Sequence, residues 1–224
     1  MIDDLNTVDL SQLLRRQLGV ALYGGEEGCI LRQGEFGSIL TDISDGKRLL
    51  TLLRELKIPQ ITQLAVKSED AFEALRQAYG FSERCPCSQW VYPAREPPRQ
   101  TACNIRSLDL SHVEQVARHY HLVADPHSYI RNRIVQGQMW GLFEGETLAG
   151  FIGTHDEGAI GLLEILPDFR RKGYGYALEA WLIAHQLAQG YVPYCHVVEG
   201  NLVSEALQQK LGMVRAELPV LWIS

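Results

Sequence analysis

At 224 residues the chain has room for one large domain or two small ones, and 46% hydrophobic with 21% charged residues describes an ordinary soluble globular protein. A net charge of −6 argues against a general nucleic-acid-binding surface, and no apolar run approaches the ~18 residues of a membrane span. The acidic opening Met1–Leu10 lacks the form of a secretory signal, so a cytoplasmic location is expected, and five cysteines, an odd number, give no disulfide framework.

In chain order, Leu5, Val8, Leu10, Leu13, Leu14 and Leu18 repeat near helical spacing, and Gly19 or Gly24 ends that segment. Cys29–Gln33 and Ser38–Thr41, joined by Gly34–Gly37, read as a hairpin. Asp45 caps a helix over Lys47–Leu56 that Pro59 closes. A strand at Ile61–Val66, a helix at Asp70–Tyr79 ended by Gly80, and a strand at Trp90–Tyr92 follow. Ala94–Thr101, with two consecutive prolines, is the clearest linker.

Beyond it, Cys103–Leu108 is a strand, Ser111 caps a helix running to His121, and a second helix covers His127–Gln136. Met139–Glu144 and Thr147–Thr154 pair across Gly145-Glu146. No metal is expected. Cys85-Pro86-Cys87 lacks a second pair at zinc-finger spacing, and His112, His119, His121 and His127 do not share a helical face.

The stretch Ala159–Gln189 organises the rest. Ala159–Leu166 is a near-continuous apolar run, as in a strand covered on both faces, and Tyr174, Ala177, Leu178, Trp181 and Leu182 follow at helical spacing. Between them stand Arg170, Arg171, Lys172, Gly173, Tyr174 and Gly175. A helix start offers unpartnered N–H groups and a positive dipole end, glycines let an anion approach the backbone, and three cations attract it. That is a phosphate cradle. It matches neither the P-loop pattern of a phosphotransferase nor the G-x-G-x-x-G dinucleotide fingerprint.

Arg170-x-x-Gly173-x-Gly175 after a strand ending in Leu166-Pro167 resembles the coenzyme A pyrophosphate loop of the GNAT (GCN5-related) N-acetyltransferase superfamily. Val192–Asn201 followed by Ser204–Met213 resembles the last strand, helix and glycine stop of its glycine-N-acyltransferase-like branch, and the resemblance covers about Asn104–Ser224. It implies an α/β (α+β) fold and an acetyl-CoA-dependent, or other short acyl-CoA-dependent, N-acyltransferase acting on a small-molecule or peptide amine. Nucleic acid and membrane are not expected as partners, and a homodimer is left open. The alternative is a non-catalytic acyl-CoA-binding or partner-binding protein of the same fold.

The N-terminal half reads as a degenerate copy. Leu64–Phe81 lies without gaps on His196–Met213, matching Val66 with Val198, Ala74 with Ala206 and Gly80 with Gly212. In that register Thr41-Asp42-Ile43 replaces Gly173-Tyr174-Gly175, so residues 102–224 are expected to hold coenzyme A and residues 1–96 to form a degenerate domain, giving tandem GNAT-like mixed sheets flanked by helices.

Acyl transfer needs a neutral amine, and at pH 7 a lysine-like amine with pKa ~10.4 is deprotonated only at a cost of ~4.6 kcal/mol. Glu164, the one ionisable group in the apolar run, is the candidate base or else a carboxylate on a solvated face or in an interdomain ion pair, and His196 on the next strand is the second choice or else a packed strand histidine. By position in the superfamily, Ile165 supplies backbone groups to the thioester, and Asn201 either hydrogen-bonds the cofactor or caps the last helix. The chain departs from its relatives twice: their glutamate position is Ala159, and the tyrosine that protonates the thiolate is replaced by Gln208.

Overall fold

The computed structural model describes residues 4–34, 37–58, 61–120, 123 and 125–224; the expected hairpin tip at Glu35-Phe36, the helix stop at Pro59 and the helix end at His121 lie outside them. The chain runs α1 (Val8–Arg15), β1 (Gly19–Gly25), β2 (Gly28–Gln33), β3 (Ile39–Thr41), α2 (Gly46–Glu55), β4 (Leu64–Val66), α3 (Glu69–Tyr79) and β5 (Arg84–Val91). It continues through β6 (Asn104–Ser107), α4 (Val113–Ala117), α5 (Pro126–Val135), β7 (Met139–Glu144), β8 (Thr147–Thr154) and β9 (Ile160–Ile165). The last elements are α6 (Tyr174–Ala188), β10 (Tyr194–Val198), α7 (Leu202–Leu211) and β11 (Val214–Ile223). Among the described residues no helix is long and apolar enough to cross a membrane.

Local chemistry sets most helix starts. Asp45 accepts from the Arg48 N–H (2.9 Å), Ser68 from Ala71 (3.1 Å), Asp125 from Ser128 (3.1 Å) and Asn201 from Ser204 (3.1 Å). Asp109, not Ser111, caps the turn leading into α4, accepting from the Ser111 N–H at 2.9 Å. Gly80 and Gly212 stop α3 and α7 in left-handed conformations, at φ 74° and 84°. The N-terminal amphipathic segment divides: Gln17 turns the chain at φ 57°, and Gly19 opens a strand instead of merely ending a helix. Two strands were not legible. β1 is a half-exposed edge, and β11 carries Pro219, which a register shift between Arg215 and Pro219 accommodates.

All eleven strands form one sheet in the order β1-β2-β3-β4-β11-β5-β10-β9-β8-β7-β6. From the central antiparallel pair β11·β5 the same succession runs both ways. An antiparallel neighbour comes first (β4 beside β11, β10 beside β5), then a parallel one (β3, β9), then antiparallel strands. Each half thus places its last strand between two strands of the other half: β5 lies between β10 and β11, and β11 between β4 and β5.

Helices α2 and α3 bury Leu49, Leu53, Phe72 and Leu75 against one face, and α6 and α7 bury Leu178, Leu182, Ile183 and Leu211 alongside. On the other face α1 packs through Leu10 and Leu13, while α4 and α5 pack through Val116, Ile130 and Ile134. From β4 to Gly80 the gap-free register sets strand on strand, helix on helix and Gly80 on Gly212; upstream the elements do not coincide. Thr41 is in β3, and α2 opens on Asp45 where the longer α6 opens on Gly173.

Helix α1 is pinned by a buried ion pair, Lys67 Nζ to Asp9 Oδ2 at 2.6 Å, with both side chains almost fully enclosed. Removing one partner leaves an uncompensated buried charge, so Lys67→Met is expected to cost about 3–5 kcal/mol, and adding Asp9→Leu should recover most of it. Denaturant titration of the two variants checks this.

Candidate active site

Helix α6 is 15 residues long and opens on Gly173, at φ 82°, with no side chain capping it. Its first N–H groups and dipole end are therefore available to an anion. A Cβ built on Gly173 meets nothing within 4 Å, and one on Gly175 touches only Ile165 and Leu207, each at 3.9 Å. The glycines keep this space open. It belongs to a cleft of about 640 Å³ bounded by Leu163, Glu164 and Ile165 of β9, the Arg170–Gly175 turn, and Asn201, Val203 and Leu207 at α7.

The cleft continues into a split in the sheet. Parallel strands β9 and β10 share one rung, Cys195 with Ile160, and then separate. Just past that rung β9 bulges. Gly161 pairs with Gly153 and Glu164 with Phe151, so β9 has one residue more than β8 across the interval, and Leu162 adopts φ 56°. A bulge leaves its extra residue out of the ladder and re-aims the neighbouring backbone groups. Pro193, with no N–H to give, directly precedes β10.

The structure brings Ile165, Arg170, Arg171, Gly173, Tyr174, Gly175 and Asn201 together around this cleft. Asn201 caps α7 and lines the cleft at once. Lys172 departs from expectation: its Nζ is bound to Glu144 at 2.6 Å and it does not line the cleft. Tyr174 also donates its hydroxyl to Glu144, at 2.5 Å.

Neither expected base has the surroundings that a base would need. Glu164 is not enclosed by the apolar run; its side chain is 33% exposed and paired with Arg170 Nη2 at 2.9 Å, while Arg170 Nε holds the Ile165 carbonyl at 3.0 Å. It organises the end of β9. His196 is buried with both ring nitrogens engaged, Nε2 with Gln89 Oε1 at 3.0 Å and Nδ1 accepting from Trp222 Nε1 at 3.3 Å. Burial and then the Lys67 charge hold its pKa well below the ordinary value, and no ring lone pair remains for an amine proton. Gln208 is likewise turned inward, its amide donating to buried Glu179 at 3.3 Å.

Sequence reasoning missed Glu157. It occupies the turn before β9, two residues ahead of Ala159, and is only 9% exposed. Burial raises its pKa to about 7, and the neighbouring Asp156 charge adds to that effect. Tyr194 of β10 donates to the Glu157 carbonyl at 2.8 Å, fixing the turn beside the β9–β10 rung. Glu157 lines a second cavity of about 240 Å³ on the sheet face opposite α6, with Tyr129, His155 and His196 from one half and Gln63, Cys85 and Cys87 from the other. Tyr129 and His155 Nδ1 are in hydrogen-bond contact at 2.8 Å, and burial lowers the His155 pKa to about 4, so its ring is neutral at pH 7. The available signal was an acidic pair, Asp156-Glu157, set against an apolar strand.

Residues 139–222 match the family model of FR47-like proteins. No curated protein matches the chain. Among solved structures, a Drosophila protein superposes with a TM-score of 0.68 at 18% identity, over 88% of this chain and 73% of that one. A GNAT-family protein from Novosphingobium aromaticivorans gives 0.59 at 16% identity over 99% and 97%. An acetyltransferase of the GNAT family from Colwellia psychrerythraea gives 0.57 at 11% over 97% and 96%. The chain has the mixed α/β fold of the GNAT acetyltransferases, and its C-terminal stretch carries the FR47-like match.

Proposed function

We propose that the protein is an N-acyltransferase that moves an acetyl or other short acyl group from coenzyme A to a primary amine. The observation that carries this reading is the uncapped, glycine-lined start of α6 at the mouth of the gap between β9 and β10. The Tyr174–Tyr176 N–H groups and Arg171 would hold the pyrophosphate, and the free edge of β9 toward Ile165 would hold the pantetheine arm. Coenzyme A supplies an activated acyl thioester. Around it the chain has two tasks: backbone N–H groups at the Leu162 bulge stabilise charge developing on the carbonyl oxygen, and Glu157 takes the proton from the attacking amine, directly or through one water. A carboxylate with a pKa near 7 is matched to that transfer at neutral pH. The departing thiolate, with an ordinary pKa of ~8.5, needs no strong acid.

The amine would enter from the face carrying Tyr129 and His155, where the N-terminal half contributes Gln63, Cys85 and Cys87. We read residues 1–96 as a degenerate copy of residues 102–224, on the mirrored strand succession. At the start of α2 the anion position is filled from within: Asp70 Oδ2 accepts from the Gly46 N–H at 2.7 Å, and a Cβ on Gly46 would lie 2.5 Å from the Asp70 carbonyl oxygen. One coenzyme A per chain is the consequence. The non-catalytic reading draws on inward-turned Gln208, which leaves α7 without an acid; turnover with amines separates the two.

Gly173→Glu carries some backbone strain at φ 82° but meets no steric clash, so it is expected to fold with a lowered melting temperature and to lose most acetyl-CoA affinity; calorimetry showing unchanged affinity in the folded variant would remove the cradle. Glu157→Gln should lower turnover by about 10²–10⁴ with little effect on acetyl-CoA affinity, whereas Glu164→Gln should leave a far smaller deficit. The wild-type rate should rise with pH through about 7 as Glu157 ionises, and that limb should vanish in Glu157→Gln.

Stability runs the other way. With the folded pKa near 7 and the unfolded value at ~4.3, the contribution of Glu157 is full below pH ~4.3 and lost as pH rises through about 7. Glu157→Gln should therefore melt higher than wild type at pH 8, a comparison not expected of a residue that merely braces the fold.

A further inference from the structure

A third cavity, of about 460 Å³, where α1 and the ends of α5 and α6 meet the β8–β9 turn, adjoins the second and shares His155 with it. Its lining includes Arg16, Arg133 and Gln186 but no aspartate or glutamate, in a chain whose net charge is −6. Arg16 spends its terminal nitrogens on neutral acceptors: the Gly158 carbonyl at 2.7 Å, Gln186 Oε1 at 3.0 Å and the Val192 carbonyl at 3.2 Å. Burial lowers its pKa, offset in part by nearby Tyr194, Tyr191 and Glu157, and among the described residues no carboxylate pairs with it directly. Arg133, 4% exposed, is balanced by Asp156 at 2.7 Å and also donates to the Thr154 carbonyl at 3.2 Å.

Three buried donors around this cavity lack a partner: Arg16 Nε, Arg133 Nε and Gln186 Nε2. Buried polar groups are costly unless paired, and three unpartnered donors beside a guanidinium that no carboxylate contacts call for an acceptor carrying one negative charge. The wall beside them is aromatic. Trp140 lies 5.3 Å, centroid to centroid, from His185, which stacks on Trp181 at 5.1 Å.

We propose that this cavity binds a small organic carboxylate, with its acid group toward Arg16 and Gln186 and its apolar part against Trp140 and His185. The Arg16 contact to Gly158 places the site one residue from Glu157, and His155 lines both this cavity and the cavity assigned to the amine. Occupancy would add negative charge near Glu157 and shift its titration upward.

Cyclohexanecarboxylate is a suitable probe, with neutral cyclohexanecarboxamide and inorganic phosphate as comparisons, each followed by calorimetry and thermal melting of the full chain. The carboxylate should bind saturably and raise the melting temperature, and the carboxamide and phosphate should not. Gln186→Glu keeps the oxygen that Arg16 holds but replaces the unpartnered donor with a negative charge. It should fold and weaken carboxylate binding about tenfold or more. Gln186→Met, which removes the donor without adding charge, serves the same purpose should the first variant not fold. Gly173→Glu should bind the probe as wild type does, which keeps this result separate from the fate of the coenzyme A reading. The proposal is overturned by absence of saturable binding, by equal binding of the carboxamide or phosphate, or by binding lost in Gly173→Glu and retained in the Gln186 variants.

Discussion

Strands β9 and β10 share a single rung and then part, and the arrangement of the site follows from that parting. Strand edges left unpaired inside a protein are costly unless something else meets their N–H and C=O groups. The bulge at Leu162 turns β9 out of the ladder at the point of separation, and α6, the connection between the two strands, brings its uncapped start to the opening. An extended ligand with peptide-like groups and a phosphate at one end satisfies all three features together. No metal ion or side-chain nucleophile is required for the chemistry that such a ligand would bring.

The two halves are locked by the central pair β11·β5. Neither half has its last strand within its own run of neighbours, so the cavity holding Glu157 is walled from both sides by construction. The halves differ where it matters for binding. Asp45 and Asp70 meet the N–H groups at the start of α2, while nothing of the chain caps the start of α6. A carboxylate already in place excludes a phosphate by both volume and charge.

Much of this was legible in the residues. The hairpin Met139–Glu144 with Thr147–Thr154 was readable to the residue, and so was the helix starting at Tyr174, because apolar spacing and turn glycines act locally. The glycine-bearing, uncapped start of α6 was legible for the same reason. The proposed proton acceptor was not. Glu164 looked enclosed because its sequence neighbours are apolar, but its enclosure depends on Arg170, six residues on, and on a bulge no periodicity announces. Nothing in the sequence singled out Glu157; it is buried near Tyr120, Tyr129 and Tyr194, which reach it only through the folded sheet. The gap-free alignment of the halves failed where α2 is shorter than α6, a length difference that glycine matches downstream could not reveal.

The central claim is that the start of α6, and not that of α2, receives a phosphate. A titration of isotope-labelled protein with coenzyme A, followed through backbone amide resonances, tests it directly. The account predicts saturable shifts at Gly173, Tyr174 and Gly175 and along β9 toward Ile165, with Gly46, Lys47 and Arg48 unmoved. Unmoved amides at Gly173–Gly175, or shifts centred on Gly46–Arg48, would contradict it.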